Sequence, residues 1–276
     1  VIHQKVVCVL GMHRSGTSAI TRALNIMGIN LGESDKLMEP GYDNPTGYWE
    51  NTEIVDIHDS ILELFSRTWD SPEPLPDNWW HCDEIIPLRD RLSEIVQTNL
   101  SNNELWMWKD PRTSLLIPVW LQIFKNLRIT PLFVICIRNP LDVYFSLEKR
   151  NQLSKEISLK LWNLYTLSSL YWTHNKKRTI VHYDSLFYDI EGTLRKISNE
   201  LTIPFPQNTD QMFRNINAFI DSGLRNSFSS VDQLLNTDGV PEETKIIYVK
   251  LLDVLYNPSL DIVELVKKLY MNLRKV

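Results

Sequence analysis

The sequence predicts an α/β fold of three layers, with a mostly parallel central sheet between two layers of helices. Short, unbroken apolar runs at 6–10 and 132–137 have the length of buried strands and are too short to cross a membrane. Each runs into a turn and then into a helical pattern. Strand and helix signals alternate along most of the chain, the order expected of one parallel sheet covered on both faces.

The elements follow in order. Val6-Val7-Cys8-Val9-Leu10 is β-branched and unbroken, a central strand. A glycine-containing turn leads into a helix from about 16 to 27, where Ile20, Leu24 and Met27 recur at helical spacing. Residues 30–48 hold Gly32, Pro40, Gly41, Pro45 and Gly47 and form a long loop, of the kind that is functional or disordered in compact domains. Helix resumes near Glu50, with Ile54, Ile57, Ile61, Leu62 and Phe65 as its apolar face. Residues 70–82 are irregular, and a helix covers 84–99. A short strand at 105–108 enters Lys109-Asp110-Pro111-Arg112, followed by a helix near 113–124. The strand at 131–137 runs into Arg138-Asn139-Pro140, with Pro140 suited to the first turn of the next helix. A helix at 156–175, a strand at 178–182, and helices near 190–200, 243–256 and 259–273 complete the set. No element is assigned to 204–240. Residues 1–276 read as one domain, with loops or helices in 30–82 and 204–240 covering a substrate. A ligand should lie beyond the carboxyl ends of the strands.

Composition narrows the function. The 276 residues carry a formal net charge of -5, which argues against a nucleic-acid surface but allows a basic pocket for one small anion. Three cysteines, Cys8, Cys82 and Cys136, are too few for a disulfide framework, and Cys8 and Cys136 lie in apolar runs as core thiols. There is no signal-peptide pattern and no membrane-spanning run. A complete chain would be cytoplasmic; one trimmed of an upstream anchor would be a membrane-anchored luminal domain. Asn99-Leu100-Ser101 fits a glycosylation sequon, a common chance triplet.

Two motifs carry the chemistry. Gly11-Met12-His13-Arg14-Ser15-Gly16-Thr17-Ser18 keeps the Gly-x-x-x-x-Gly spacing of a Walker A loop between strand and helix, so the fold is P-loop-like. Thr17 stands where that loop has its lysine, which argues against ordinary ATP or GTP hydrolysis. The loop's N–H groups and the helix N-terminus can still cradle an anion, with hydroxyls from Ser15, Thr17 and Ser18 and a cation from Arg14. A plain glycine turn with a polar helix cap is the structural alternative. In the second motif, Arg138 ends a core strand and Ser146 follows eight residues later, two turns into a helix. A sharp bend at Asn139-Pro140 would let both hold one phosphate. The alternative is an Arg138–Asp142 salt bridge with a buried serine.

Together these motifs resemble the PAPS-dependent sulfotransferase family, closest in style to bacterial or Golgi-like carbohydrate sulfotransferases. Residues 14–18 look like the family's 5'-phosphosulfate loop, and Arg138 with Ser146 like its 3'-phosphate motif. His182-Tyr183-Asp184-Ser185-Leu186 is similar to a segment whose tyrosine, here Tyr183, lies near the nucleotide. Phe219-Ile220-Asp221-Ser222-Gly223-Leu224-Arg225 is similar to a late nucleotide-contacting segment, which would bring Arg225 to the donor or acceptor; an ordinary surface arginine is the alternative. The adenine-stacking aromatic of some relatives is not matched, because Ala19 occupies that neighbourhood. The resemblance implies PAPS as sulfuryl donor, 3',5'-phosphoadenosine as product, and no metal. The acceptor hydroxyl would belong to a carbohydrate or glycolipid, with phenols and tyrosine peptides also open; the oligomeric state is open too.

For the chemical step, Arg14 and Lys109 are the cations for the leaving phosphate. Cytosolic relatives carry Lys-x-His where this chain has Lys109-Asp110-Pro111, so no histidine base is expected there. Gly47-Tyr48-Trp49-Glu50 resembles a Gly-aromatic-Trp-Glu segment of bacterial relatives, making Glu50 the leading base, with Trp49 as a sugar-facing wall and helix capping as the bland role. Asp110, Glu53 and His58 are further base candidates, and Glu50 and Glu53 are expected on one helical face. Asp110 and Arg112 are alternatively a scaffold, with Asp110 bracing Lys109 or Arg14 and Arg112 binding the acceptor or pairing with Asp142. Tyr42, Tyr48, Trp49, Trp69, Trp79 and Trp80 supply flat faces for a sugar ring or fill a core. The rival functions are a P-loop small-molecule kinase and an inactive nucleotide- or glycan-binding protein.

Overall fold

The computed structural model describes residues 4–41, 47–101, 103–220 and 227–275. Strands are β1 (Lys5–Leu10), β2 (Leu105–Lys109), β3 (Thr130–Ile137) and β4 (Lys177–His182). Helices are α1 (Thr17–Ile26), α2 (Thr52–Leu64), α3 (Ile85–Leu100), α4 (Thr113–Leu127), α5 (Pro140–Asn151), α6 (Lys155–Trp172), α7 (Ser185–Tyr188), α8 (Ile190–Leu201), α9 (Asp210–Ile220), α10 (Val231–Asn236), α11 (Glu242–Tyr256) and α12 (Val263–Leu273).

The described strands form one parallel sheet in the order β2-β1-β3-β4. Alternation along β1 divides the core, because successive side chains leave a strand on opposite faces. Val6, Cys8 and Leu10 join the apolar cluster of α2 to α6 and α10 to α12. Val7 and Val9 join the cluster of α1, α8 and α9 on the other face. This is the three-layer α/β/α arrangement expected from the alternating pattern. All three cysteines are free, and Cys8 and Cys136 are buried.

Most of the tryptophans are core. Trp106 and Trp108 leave β2 on one face and stack at 5.1 Å, and Trp108 stacks on Trp120 of α4 at 4.2 Å. Trp79 and Trp80 pack edge-on at 6.0 Å, and Trp80 packs on Trp172 at 5.1 Å.

Two segments depart from the pattern-based expectation. The helix expected from Glu50 begins at Thr52, because Asn51 caps it, its side chain accepting from the Ile54 N–H at 3.1 Å. Glu50 is thereby outside the helix. The unassigned 204–240 region contains α9, whose buried Met212, Ile216 and Ile220 recur every four residues, and α10. The latter opens on a reciprocal cap between Ser230 and Gln233.

The β1–α1 turn is built on left-handed backbone. Gly11, Arg14 and Gly16 have φ of 143°, 68° and 88°. The Gly11 N–H donates to Ser114 Oγ of α4 at 3.0 Å. A Cβ at Gly16 would enter the ring of Tyr183. Gly16→Ala therefore meets both positive-φ strain and a steric block, and should cost about 2 kcal/mol in urea unfolding.

Candidate functional site at the carboxyl edge of the sheet

Parallel pairing gathers the strand exits. Val9 of β1 pairs with Lys109, Leu10 with Ile135, and Ile137 with His182. The glycine loop after β1, Lys109-Asp110-Pro111-Arg112 after β2, Arg138 after β3 and Tyr183 after β4 therefore share one edge.

Two arginines meet here. Arg14 Nε donates to Ser146 Oγ on α5 at 2.7 Å. Arg138 is buried, and its Nη1 donates to the Arg14 carbonyl at 3.1 Å. Its guanidinium lies 4.5 Å from the Tyr183 ring centre. Arg138 Nη2 donates to Ser227 Oγ at 3.0 Å, and Asn139 Nδ2 donates to the Ser229 carbonyl at 2.8 Å, so the segment before α10 lies against this corner. Asp142 Oδ2 stands 4.0 Å from Arg138 Nε, while Asp142 Oδ1 accepts from Ser229 Oγ at 2.7 Å. Ser146 is bonded to Arg14 rather than to Arg138, so Arg14 lies between the two residues of the second motif. Ser15 and Thr17 are buried at the start of α1, and Ser18 Oγ donates to the Tyr48 carbonyl at 3.2 Å. Arg225 and Tyr42 lie outside the described residues.

Beside the cluster is a cavity of about 260 Å³, lined by the loop residues His13, Arg14, Thr17 and Ser18 and by Tyr48, Glu50, Trp69, Lys109, Arg112 and Arg150, among others. Glu50 and Lys109 form a buried ion pair at 2.6 Å. Burial pushes the Glu50 carboxyl above its ordinary range, and Lys109 partly offsets this. His13 packs tilted against Trp69, ring centres 4.5 Å apart, its Nε2 sealed from solvent with no hydrogen-bond partner among the described residues. Burial, then Arg112, hold the His13 imidazole well below its usual range. A larger cavity of about 780 Å³, lined by β4, α7, α8, α11 and the 228–231 segment, reaches Ser229 but none of the groups that line the smaller one.

Asp110 stands behind the cavity wall, fully buried. Its Oδ1 accepts from the Arg112 N–H and from Arg112 Nη1, each at 3.0 Å, and its Oδ2 meets His58 Nδ1 at 2.7 Å. Burial alone would raise this carboxyl, but Arg112 and the His58 bond outweigh it and hold it well below the carboxylate range. Asp110 thus braces Arg112 and His58 rather than the Lys109 or Arg14 expected of a scaffold, and Arg112 pairs with Asp110 and Asp59, not Asp142. Three further expectations are corrected. Glu53 turns outward to Lys36 at 3.2 Å while Glu50 turns inward, since the Asn51 cap separates them, so they make no carboxylate pair. His58 is fully buried and away from the cavity. Trp49 lies under Arg22, 4.6 Å from its guanidinium, rather than walling the cavity. Sequence reasoning missed Ser227, Asp59 and Ser114. Of these, only the Ser227 neighbourhood carried a signal, the Ser-x-x-Gln cap at 230–233.

Among the described residues, no group of three or more His, Cys, Asp or Glu could hold a metal ion, and no helix is long and apolar enough to cross a membrane. No protein-family model matches the chain, and no curated protein matches it. Among solved structures, it is similar to the sulfotransferase domain from the Synechococcus PCC 7002 olefin synthase, at 14% identity and a TM-score of 0.49, over 92% of this chain and 96% of that domain.

Asp110→Asn removes the buried carboxylate that compensates Arg112 and should cost about 3 kcal/mol in urea unfolding at neutral pH. Because the folded carboxyl is held low, its contribution is present above the unfolded value, about 4, and is lost as pH falls through the folded one. The parent chain should therefore lose stability in acid more steeply than the variant.

Proposed function

We propose that the chain transfers a sulfuryl group from PAPS to a hydroxyl of a carbohydrate or glycolipid. The observation that carries this reading is the convergence of Arg14, Ser146 and Arg138 beside a cavity lined by the buried Glu50–Lys109 pair.

The residues suit a nucleotide with two anionic ends. The amides and hydroxyls of 15–18 and the Arg14 guanidinium suit the 5'-phosphosulfate, and Arg138 suits the 3'-phosphate, with Ser146 joining it only where its bond to Arg14 gives way. Tyr183 packs against the Gly16 turn and under Arg138, where it would wall the nucleotide. Arg225 is proposed at the donor from the sequence resemblance. In the reaction, the acceptor oxygen forms a bond to sulfur as the bond from sulfur to the phosphate oxygen breaks. The acceptor proton passes to Glu50, and the electron pair leaves with 3',5'-phosphoadenosine. Arg14 and Lys109 offset the charge gathering on the departing phosphate. Burial, which raises Glu50's proton affinity, suits it to act as a base. Asp110 acts here only through Arg112.

A mass-resolved assay with PAPS, and in parallel with Mg²⁺-ATP, should give a sulfated product only with PAPS. Phosphoryl transfer from ATP would overturn the reading. Glu50→Gln should lower kcat at least about 100-fold with 3',5'-phosphoadenosine affinity unchanged in calorimetry. Activity should fall as acid protonates Glu50, with a midpoint above the ordinary glutamate value of about 4.3. Lys109→Met removes the offsetting charge and should move that limb to higher pH. Arg138→Ala should weaken nucleotide binding about 10- to 100-fold with less effect on the bound-state step.

A further inference from the structure

Arg112 stands in the cavity wall with two of its three side-chain nitrogens already committed. Nε donates to Asp59 Oδ1 at 2.6 Å and Nη1 to Asp110 Oδ1 at 3.0 Å. Nη2 has no hydrogen-bond partner among the described residues, and the residue lines the cavity. The guanidinium is planar, so the bonds from Nε and Nη1 fix the plane in which the remaining N–H groups lie.

The brace continues inward. Trp120 Nε1 donates to His58 Nε2 at 3.0 Å. An indole N–H can only donate, so His58 Nε2 accepts and the ring proton sits on Nδ1, where it is given to Asp110 Oδ2. Trp120, His58 and Asp110 are fully buried. A buried chain of three residues therefore ends on Arg112, which lines the cavity.

Charge decides what the donor would take. Arg112 is flanked by two carboxylates, so the group carries no net positive charge. A free arginine facing a cavity favours carboxylate, phosphate or sulfate; one compensated twice favours an uncharged oxygen. Nearby, Trp69 presents an aromatic ring backed by His13 at 4.5 Å, and its carbonyl is anchored by the Tyr165 hydroxyl at 2.7 Å. A fixed ring beside a charge-compensated donor matches a sugar ring with a hydroxyl on its edge.

Resting on the sulfuryl-transfer reading, we propose that Arg112 binds the acceptor, donating from Nη2 to an uncharged hydroxyl next to the one that reacts, and that Asp110, His58 and Trp120 are the positioning residues that aim it. The acceptor is then an uncharged polyol face, and selectivity for it resides in Arg112 rather than in the donor loop.

The test uses the full chain with PAPS and methyl β-glucoside, β-galactoside and β-N-acetylglucosaminide, each with its monodeoxy analogues. Nucleotide affinity is followed separately with 3',5'-phosphoadenosine. On the parent chain, one deoxy position adjacent to the sulfated carbon should lower kcat/KM at least about tenfold. Arg112→Lys should lose a similar factor on the complete glycoside, lose nothing further on that deoxy analogue, and bind the nucleotide within twofold of the parent. His58→Asn, whose side-chain N–H can replace Nδ1–H, should keep the deoxy discrimination, and His58→Leu should lose it. A deoxy series flat within twofold on the parent chain overturns the proposal even if no variant folds. So does transfer confined to anionic acceptors, or an Arg112→Lys loss that appears equally in nucleotide binding. Failure of the parent chain to bind the nucleotide sinks the sulfuryl-transfer reading and this proposal together; normal nucleotide binding with any of the other adverse results sinks this proposal alone.

Discussion

Pairing of β1 on both edges with parallel neighbours decides where the charged groups of this molecule stand. Antiparallel neighbours would send half of the strand exits to the opposite end of the sheet. Parallel neighbours send them all to one end, so four polar turns far apart in sequence become one surface. The apolar alternation of β1 enforces the arrangement: a slip of one residue would exchange Val7 and Val9 with Cys8 and Leu10 between two differently shaped cores.

That gathering places several ionised groups at low exposure, an expensive arrangement unless each is compensated. The compensation is partitioned. Lys109 is matched by Glu50, and Arg112 by Asp59 and Asp110. Arg14 and Arg138 share neutral partners, a serine hydroxyl and a carbonyl, together with the more distant Asp142.

Much of the architecture was legible because local signals and tertiary packing agree. The strands are short apolar runs, the helices carry their periodicity, and the glycine spacing at 11–16 announces a turn whose φ values only glycine adopts at no cost. The candidate residues 14–18, 50, 109, 138 and 146 were legible as polar groups following strands or loops. Their partners were not. Arg112 chose Asp59 over Asp142 because the turn after β2 faces α2, and no local pattern encodes which helix covers a turn. Glu50 and Glu53 separated because a single asparagine claimed the cap position. The 204–240 region hid its helices because short elements bounded by serines and asparagines resemble loops in composition.

The bond from Gly11 to Ser114 has a mechanical meaning. It fastens the first residue of the glycine loop to the opening turn of α4, two residues beyond Arg112. The glycine loop and the turn after β2 are thus riveted at their root. Hinge-like gaping between them would break a buried hydrogen bond, so this part of the cleft is set like a fixed gauge.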